Sequence, residues 1–247
     1  MNTKLKAFLL SLLVPGLGYL QSDDKKLFYR TMLLYFGVFG GGVMSRLFVT
    51  HDGFMAIMIS WPVISILTGI HAATRLKTTS SNGLLKLAFT VLFLLITGFS
   101  FANRSTVMGF DIMQMGVPVM QPAVPQGVRF LVDTWAYNNK LPERGDIVAH
   151  TFDGQQGIYL NRIIAVGKDR ISIKEGVVYL NGQLLEEVYV LKENVTRKES
   201  KDMEEISVPE GHYFVMGDNR DKSFGDSRFS GVITIRNIQG KKTDLLQ

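Results

Sequence analysis

The chain has 247 residues, 46% of them hydrophobic and 20% charged, with a net charge of +5 and no cysteine. The missing cysteines exclude disulfides and thiolate metal ligands, and the modest charge, scattered among apolar segments, excludes a dedicated nucleic-acid binder. His51, His71, His150 and His212 lie too far apart for ligand spacing, so neither a metal nor any other cofactor is expected.

The average hides a split near position 102. Residues 1–102 are dominated by long apolar runs, whereas residues 103–247 have the composition of a soluble domain able to bury its own core. Lys6–Leu20 is the shortest run: Lys4 and Lys6 open it, Lys25, Lys26 and Arg30 follow it, and Pro15, Gly16 and Gly18 interrupt its end. Positive charge on both sides argues for a re-entrant or surface-lying segment with both ends cytoplasmic. A cleaved leader would share the basic start, but no small-x-small site follows. Thr31–Val49, Phe54–Ala73 and Leu84–Ala102 are nearly uncharged and long enough, at about 20 residues each, to cross a hydrocarbon core as helices.

The loop around Thr50-His51-Asp52-Gly53 carries no Lys or Arg, whereas Arg75, Lys77 and Lys86 border the next connection. The first and third loops are therefore expected in the cytoplasm, and the third span delivers Asn103 onward to the outer side of an inner or plasma membrane. Arg46 and His71 sit near span ends, where snorkelling to the interface accounts for them.

The second half reads as β throughout. Arg129–Tyr137, Asp146–Phe152, Ile158–Val166, Arg170–Lys174, Val177–Leu180, Glu205–Val208 and Tyr213–Met216 are short, rich in β-branched and aromatic residues, and bounded by Gly, Pro, Asn or Asp. Glu175-Gly176 and Asn181-Gly182 suit tight hairpin turns. Lys192–Glu204 is crowded with charge and reads as a loop or a frayed helix.

Three blocks carry chemistry. The first is Val117-Pro118-Val119-Met120-Gln121-Pro122-Ala123, followed by Phe130-Leu131-Val132-Asp133 and Tyr137. The second is Arg144-Gly145-Asp146-Ile147-Val148, then Tyr159-Leu160-Asn161-Arg162-Ile163-Ile164-Ala165-Val166-Gly167. The third is Gly217-Asp218-Asn219-Arg220-Asp221-Lys222-Ser223-Phe224-Gly225-Asp226-Ser227-Arg228-Phe229. In this order they resemble the signature blocks of type I signal peptidases, membrane-bound Ser/Lys serine peptidases that process signal peptides during protein export. The resemblance implies N-terminal transmembrane helices followed by an all-β signal-peptidase-like extracytoplasmic domain. It also implies a serine nucleophile in a Ser-Met-x-Pro-Thr pattern and a neutral lysine base, desolvated to hold its pKa down by roughly two units.

This chain departs from that pattern at the centre. Val119 occupies the nucleophile position and Asn161 the base position; neither attacks a carbonyl nor accepts a proton near neutral pH. Val117 stands where the family often has an oxyanion-assisting serine, and Ala123 replaces the usual threonine. Ser105, Thr106, Lys140 and Lys168 lie in contexts unsuited to a substitute dyad. By the same resemblance Val117, Met120, Pro122 and Ser223 belong to a substrate cleft, and Asp218, Arg220, Asp226 and Arg228 are structural. Asp226 and Arg228, two residues apart, are expected on one side of an extended segment. Phe224-Gly225 adds a residue before Asp226 that reads as a bulge. The leading expectation is a pseudoenzyme in contact with membrane lipid that binds leader peptides, an active signal peptidase or another export component. The alternatives are an active peptidase with an unrecognised nucleophile and base, or a structural subunit of a membrane complex.

Overall fold

The computed structural model describes residues 2–21, 24–75 and 83–246. It divides into two compact units, Met1–Gly109 and Phe110–Gln247, against the 102/103 division read from hydropathy alone. The helical unit begins with α1 (Thr3–Leu13), capped by Asn2, whose side chain accepts from the Lys4 N–H. The chain then reverses through Gly16, held at φ +79°, and a 3-10 turn over Leu17–Gln21 returns along α1. Gly18 lies so close that a Cβ there would sit 2.2 Å from the Ala7 carbonyl oxygen, and its N–H donates to Ser11 Oγ. The segment flanked by positive charge is therefore a helix with a short return, not a straight span.

Helices α2 (Lys25–Met44), α3 (His51–Thr74) and α4 (Gly83–Ala102) are each long and apolar enough to cross a membrane. The first starts six residues before the apolar run, because Asp24 caps it and Lys25, Lys26 and Arg30 are tolerated in its opening turns. Leu17, Tyr19, Phe28, Tyr35, Ala72 and Phe93 pack inside the unit, while Leu33, Leu84, Leu95 and Phe99 are exposed, as a lipid-facing surface requires. The stretch of the third loop bearing Lys77 lies outside the described residues. A one-turn helix, α5 (Arg104–Val107), follows α4 and belongs to this unit.

The second unit is built on two antiparallel sheets. Its strands are β1 (Phe110–Gln114), β2 (Arg129–Asp133), β3 (Ile147–His150), β4 (Tyr159–Val166), β5 (Arg170–Lys174), β6 (Val177–Leu180), β7 (Gln183–Leu184), β8 (Met203–Ser207), β9 (His212–Met216), β10 (Ile233–Thr234) and β11 (Ile238–Leu246). The large sheet runs β1-β2-β11-β3-β4-β9-β10 and the small one β7-β6-β5-β8. Glu175 and Gly176 both take positive φ, 49° and 81°, which matches the twist of a two-residue hairpin and fixes β5 and β6 where the sequence put them. Ile164, Ile171, Ile173, Val178, Phe214 and Met216 form one core cluster from strands of both sheets.

Several elements differ from the sequence reading. The run from Arg129 ends as a strand at Asp133, whose carboxylate accepts from the Trp135 N–H and turns the chain. β1, β7, β10 and β11 were not legible as strands. Lys192–Glu204 resolves into a 3-10 turn (Lys192–Asn194), a one-turn helix α6 (Lys198–Lys201) and the start of β8. The expected extended segment after Gly225 is instead a one-turn helix, α7 (Ser227–Ser230), with Asp226 as its N-cap.

Candidate functional site

Pro118 opens a 3-10 turn, Pro118–Met120, which its fixed φ favours, and the turn presents half-buried Val119. The third block holds that turn by its backbone: the Asn219 N–H donates to the Val119 carbonyl at 3.0 Å. Gly217 is required at the junction, since a Cβ there would lie 2.4 Å from Ser223 Oγ and 2.7 Å from the Val119 carbonyl oxygen. Asn161 comes from β4, opposite Val148 in the β3–β4 hairpin.

Val119 and Asn161 line one cleft of about 560 Å³ together with Met113, Gln114, Val117, Phe130, Ile158, Tyr159, Lys222 and Phe224. The two positions singled out from the motifs are thus brought together, with Val117 beside them. Met120 is not on that wall: it is fully buried against Met115, Val124 and Phe130. Pro122, joined to Gln121 by a cis peptide, is exposed outside the lining, and Ser223 lies behind Asn161. No aliphatic hydroxyl, imidazole or carboxylate lines the cleft among the described residues.

Behind the wall is a buried polar chain. His150 Nε2 donates to Asn161 Oδ1 at 2.9 Å, and Asn161 Nδ2 donates to Ser223 Oγ at 3.4 Å. All three residues are essentially inaccessible to water. Burial lowers the His150 pKa below its usual value, partly offset by the hydrogen bonds to Asn161 and to the Thr151 carbonyl. The imidazole packs edge-on against Phe152 and stacks near Tyr159. The sequence reading missed His150 because it weighed the histidines only as metal ligands. The signal that finds it is register: His150 shares a strand face with Val148 and is therefore a diagonal neighbour of Asn161.

Asp218, Arg220, Asp226 and Arg228 of the third block each make an ion pair. Arg228 donates to Asp226 from Nη2 at 2.8 Å and Nε at 3.1 Å, with both side chains buried. They meet through the helix cap rather than along an extended strand, since Asp226 also accepts the Arg228 backbone N–H. At the added Phe224-Gly225, Gly225 packs against the edge of the Tyr159 ring, where a Cβ would come within 2.4 Å. Asp218 receives both Nε and Nη2 of Arg162, at 2.9 and 2.6 Å, and that guanidinium lies 4.0 Å from the Tyr189 ring centroid. Arg220 pairs with Glu187 at 2.6 Å and donates to the Gly217 carbonyl. Asp221 accepts from Thr196 and Arg197, and Arg228 Nη1 reaches the Glu199 carbonyl and Ser200 Oγ.

Residues 85–245 match the sequence model of the family described as signal peptidase, peptidase S26. Similar curated proteins include the signal peptidase I of Bacillus licheniformis, 35% identical over 49% of this chain and 68% of its own length. The probable signal peptidase I-1 of Synechocystis sp. is 32% identical over 49% of this chain and 63% of its own. Thylakoidal processing peptidase 1 of Arabidopsis thaliana is also 32% identical, over 49% of this chain and 37% of its own. A crystal structure of a signal peptidase I from Enterococcus faecalis V583 aligns with a TM-score of 0.37 and 31% identity, covering 41% of this chain and 97% of that one. The matched region thus spans between 37% and 68% of these curated relatives.

Proposed function

This chain belongs to the signal peptidase family, peptidase S26, and from that premise we propose that it is a non-cleaving member, anchored by its helices, whose cleft holds leader peptides or similar extended export-pathway segments. The observation that carries the reading is the pairing of Val119 and Asn161 on one cleft wall, with no aliphatic hydroxyl beside them. Peptide hydrolysis by this family's chemistry needs a nucleophile and a group to take its proton. Val119 supplies neither, and the Asn161 carboxamide is already committed to His150 and Ser223. Loss of the nucleophile alone costs a serine protease about six orders of magnitude. An exposed Lys222 lines the cleft, but it faces no side-chain hydroxyl there apart from the Tyr159 phenol.

Binding needs only what remains. The walls are apolar, and β1, which contributes Met113 and Gln114, is an edge strand of the large sheet among the described residues. An extended segment adds to such an edge by main-chain pairing, with side chains in the adjacent pockets. The test is incubation of the purified full chain with a preprotein, alongside photocrosslinking to a leader peptide. The preprotein should stay intact while the crosslink maps to the cleft. Cleavage in a preparation free of host peptidase, abolished by Ser223→Ala or by changing another Ser or Thr of this chain, overturns the proposal.

A further inference from the structure

The third block contains three aspartates and each is satisfied: Asp218 by Arg162, Asp221 by Thr196 and Arg197, Asp226 by Arg228. Lys222 sits among them, yet among the described residues its ammonium has no ion pair or hydrogen bond. It lines the cleft, and no carboxylate lines the cleft with it. A second cation stands close by, the Arg197 guanidinium 4.7 Å from the ring centroid of Phe224, itself a lining residue. The cleft therefore pairs apolar walls with an uncompensated positive charge.

We propose that the cleft recognises the free α-carboxylate of an extended peptide with apolar C-terminal residues, that is, a cut end rather than an uncut segment. The carboxylate meets the Lys222 ammonium while the preceding side chains occupy the apolar wall. An uncut segment has a neutral amide at that point and leaves the lysine without a partner. This deepens the peptide-binding reading and rests on it.

The test uses the full chain in detergent and two fluorescein-labelled peptides ending in Ala-Leu-Ala, identical except that one has a free carboxylate and the other a C-terminal amide. By fluorescence anisotropy the free acid should bind about two- to fivefold more tightly, the scale of an ion pair at a cleft rim. The preference should fall with salt, vanish in Lys222→Gln and invert in Lys222→Glu. Equal binding of the two peptides to the wild type, or a preference that survives Lys222→Gln, overturns this inference and leaves the peptide-binding function standing. Binding of neither peptide overturns both.

Discussion

Replacing Asp226 tests whether the third block holds the β unit together. In the wild type its carboxylate accepts from Arg228 Nε and Nη2, from the Arg228 N–H and from the Gly217 N–H. Asp226→Ala removes all of these and leaves a guanidinium whose side chain is only 2% exposed without a counter-charge, held by neutral acceptors alone: the Arg220, Ser223 and Glu199 carbonyls and Ser200 Oγ. Breaking a buried pair from one side costs about 3–5 kcal/mol. That is a large share of the roughly 5–15 kcal/mol that holds a typical domain folded. For a unit of this size the unfolding midpoint should fall by about 10–15 °C. The chain has two tryptophans, Trp61 in α3 and Trp135 after β2, so Trp135 fluorescence in a Trp61→Phe background follows the β unit alone. Adding Arg228→Met to Asp226→Ala should be less damaging than the two single losses summed, by about 1–3 kcal/mol, because the stranded charge is then gone. A midpoint shift below about 3 °C, or strictly additive losses, would refute the reasoning.

Three further outcomes are expected. Gly217→Ala should destabilise the β unit by about 1–3 kcal/mol through overpacking and weaken peptide binding together with it, since the new methyl meets both Ser223 and the Val119 carbonyl; unaltered binding and melting would show that the junction has slack. Asp221 titrates near about 2: burial alone would raise its pKa, but hydrogen bonds from Thr196, Ser200 and Arg197 outweigh it. The stability it confers should be complete above about pH 4 and disappear as pH falls through about 2, so the gap in melting temperature between wild type and Asp221→Asn should close over that window and nowhere higher. The chain has no cysteine, so Val188→Cys, at an 84% exposed position, reports topology cleanly. A membrane-impermeant maleimide should label it in spheroplasts, and labelling only after lysis would place the β unit in the cytoplasm.

The parts of the fold visible in the sequence are those whose causes are local. β5 and β6 were readable because β-branched runs flank a turn pair that demands positive φ. The apolar helices were readable because length and composition alone mark them. β11 was not: Gly240, Lys241, Lys242 and Asp244 break any alternation, and the strand exists because β2 and β3 pair with its two sides and the part-buried Asp146 takes the Lys241 ammonium. β1 lacks a local signature too, and pairing with β2 defines it. The positions of Val119 and Asn161 were legible from family blocks. The role of His150 was not, because its partner lies 11 residues away across a hairpin and only strand register aligns them.

The ties made by the third block bear on how such sequences are classified. Between β7 and β8 the chain makes a long excursion, and the block anchors it at several points: Arg220 to Glu187, Asp221 to Thr196 and Arg197, Arg228 to Glu199 and Ser200. None of those contacts involves an attacking or proton-abstracting group. The third block of this chain therefore behaves as a clasp for a loop, and the clasp is built without the side chains of Val119 and Asn161. On the proposed reading, a count of peptidases made from this block includes members that do not cleave, and the positions of Val119 and Asn161 are where the two kinds differ.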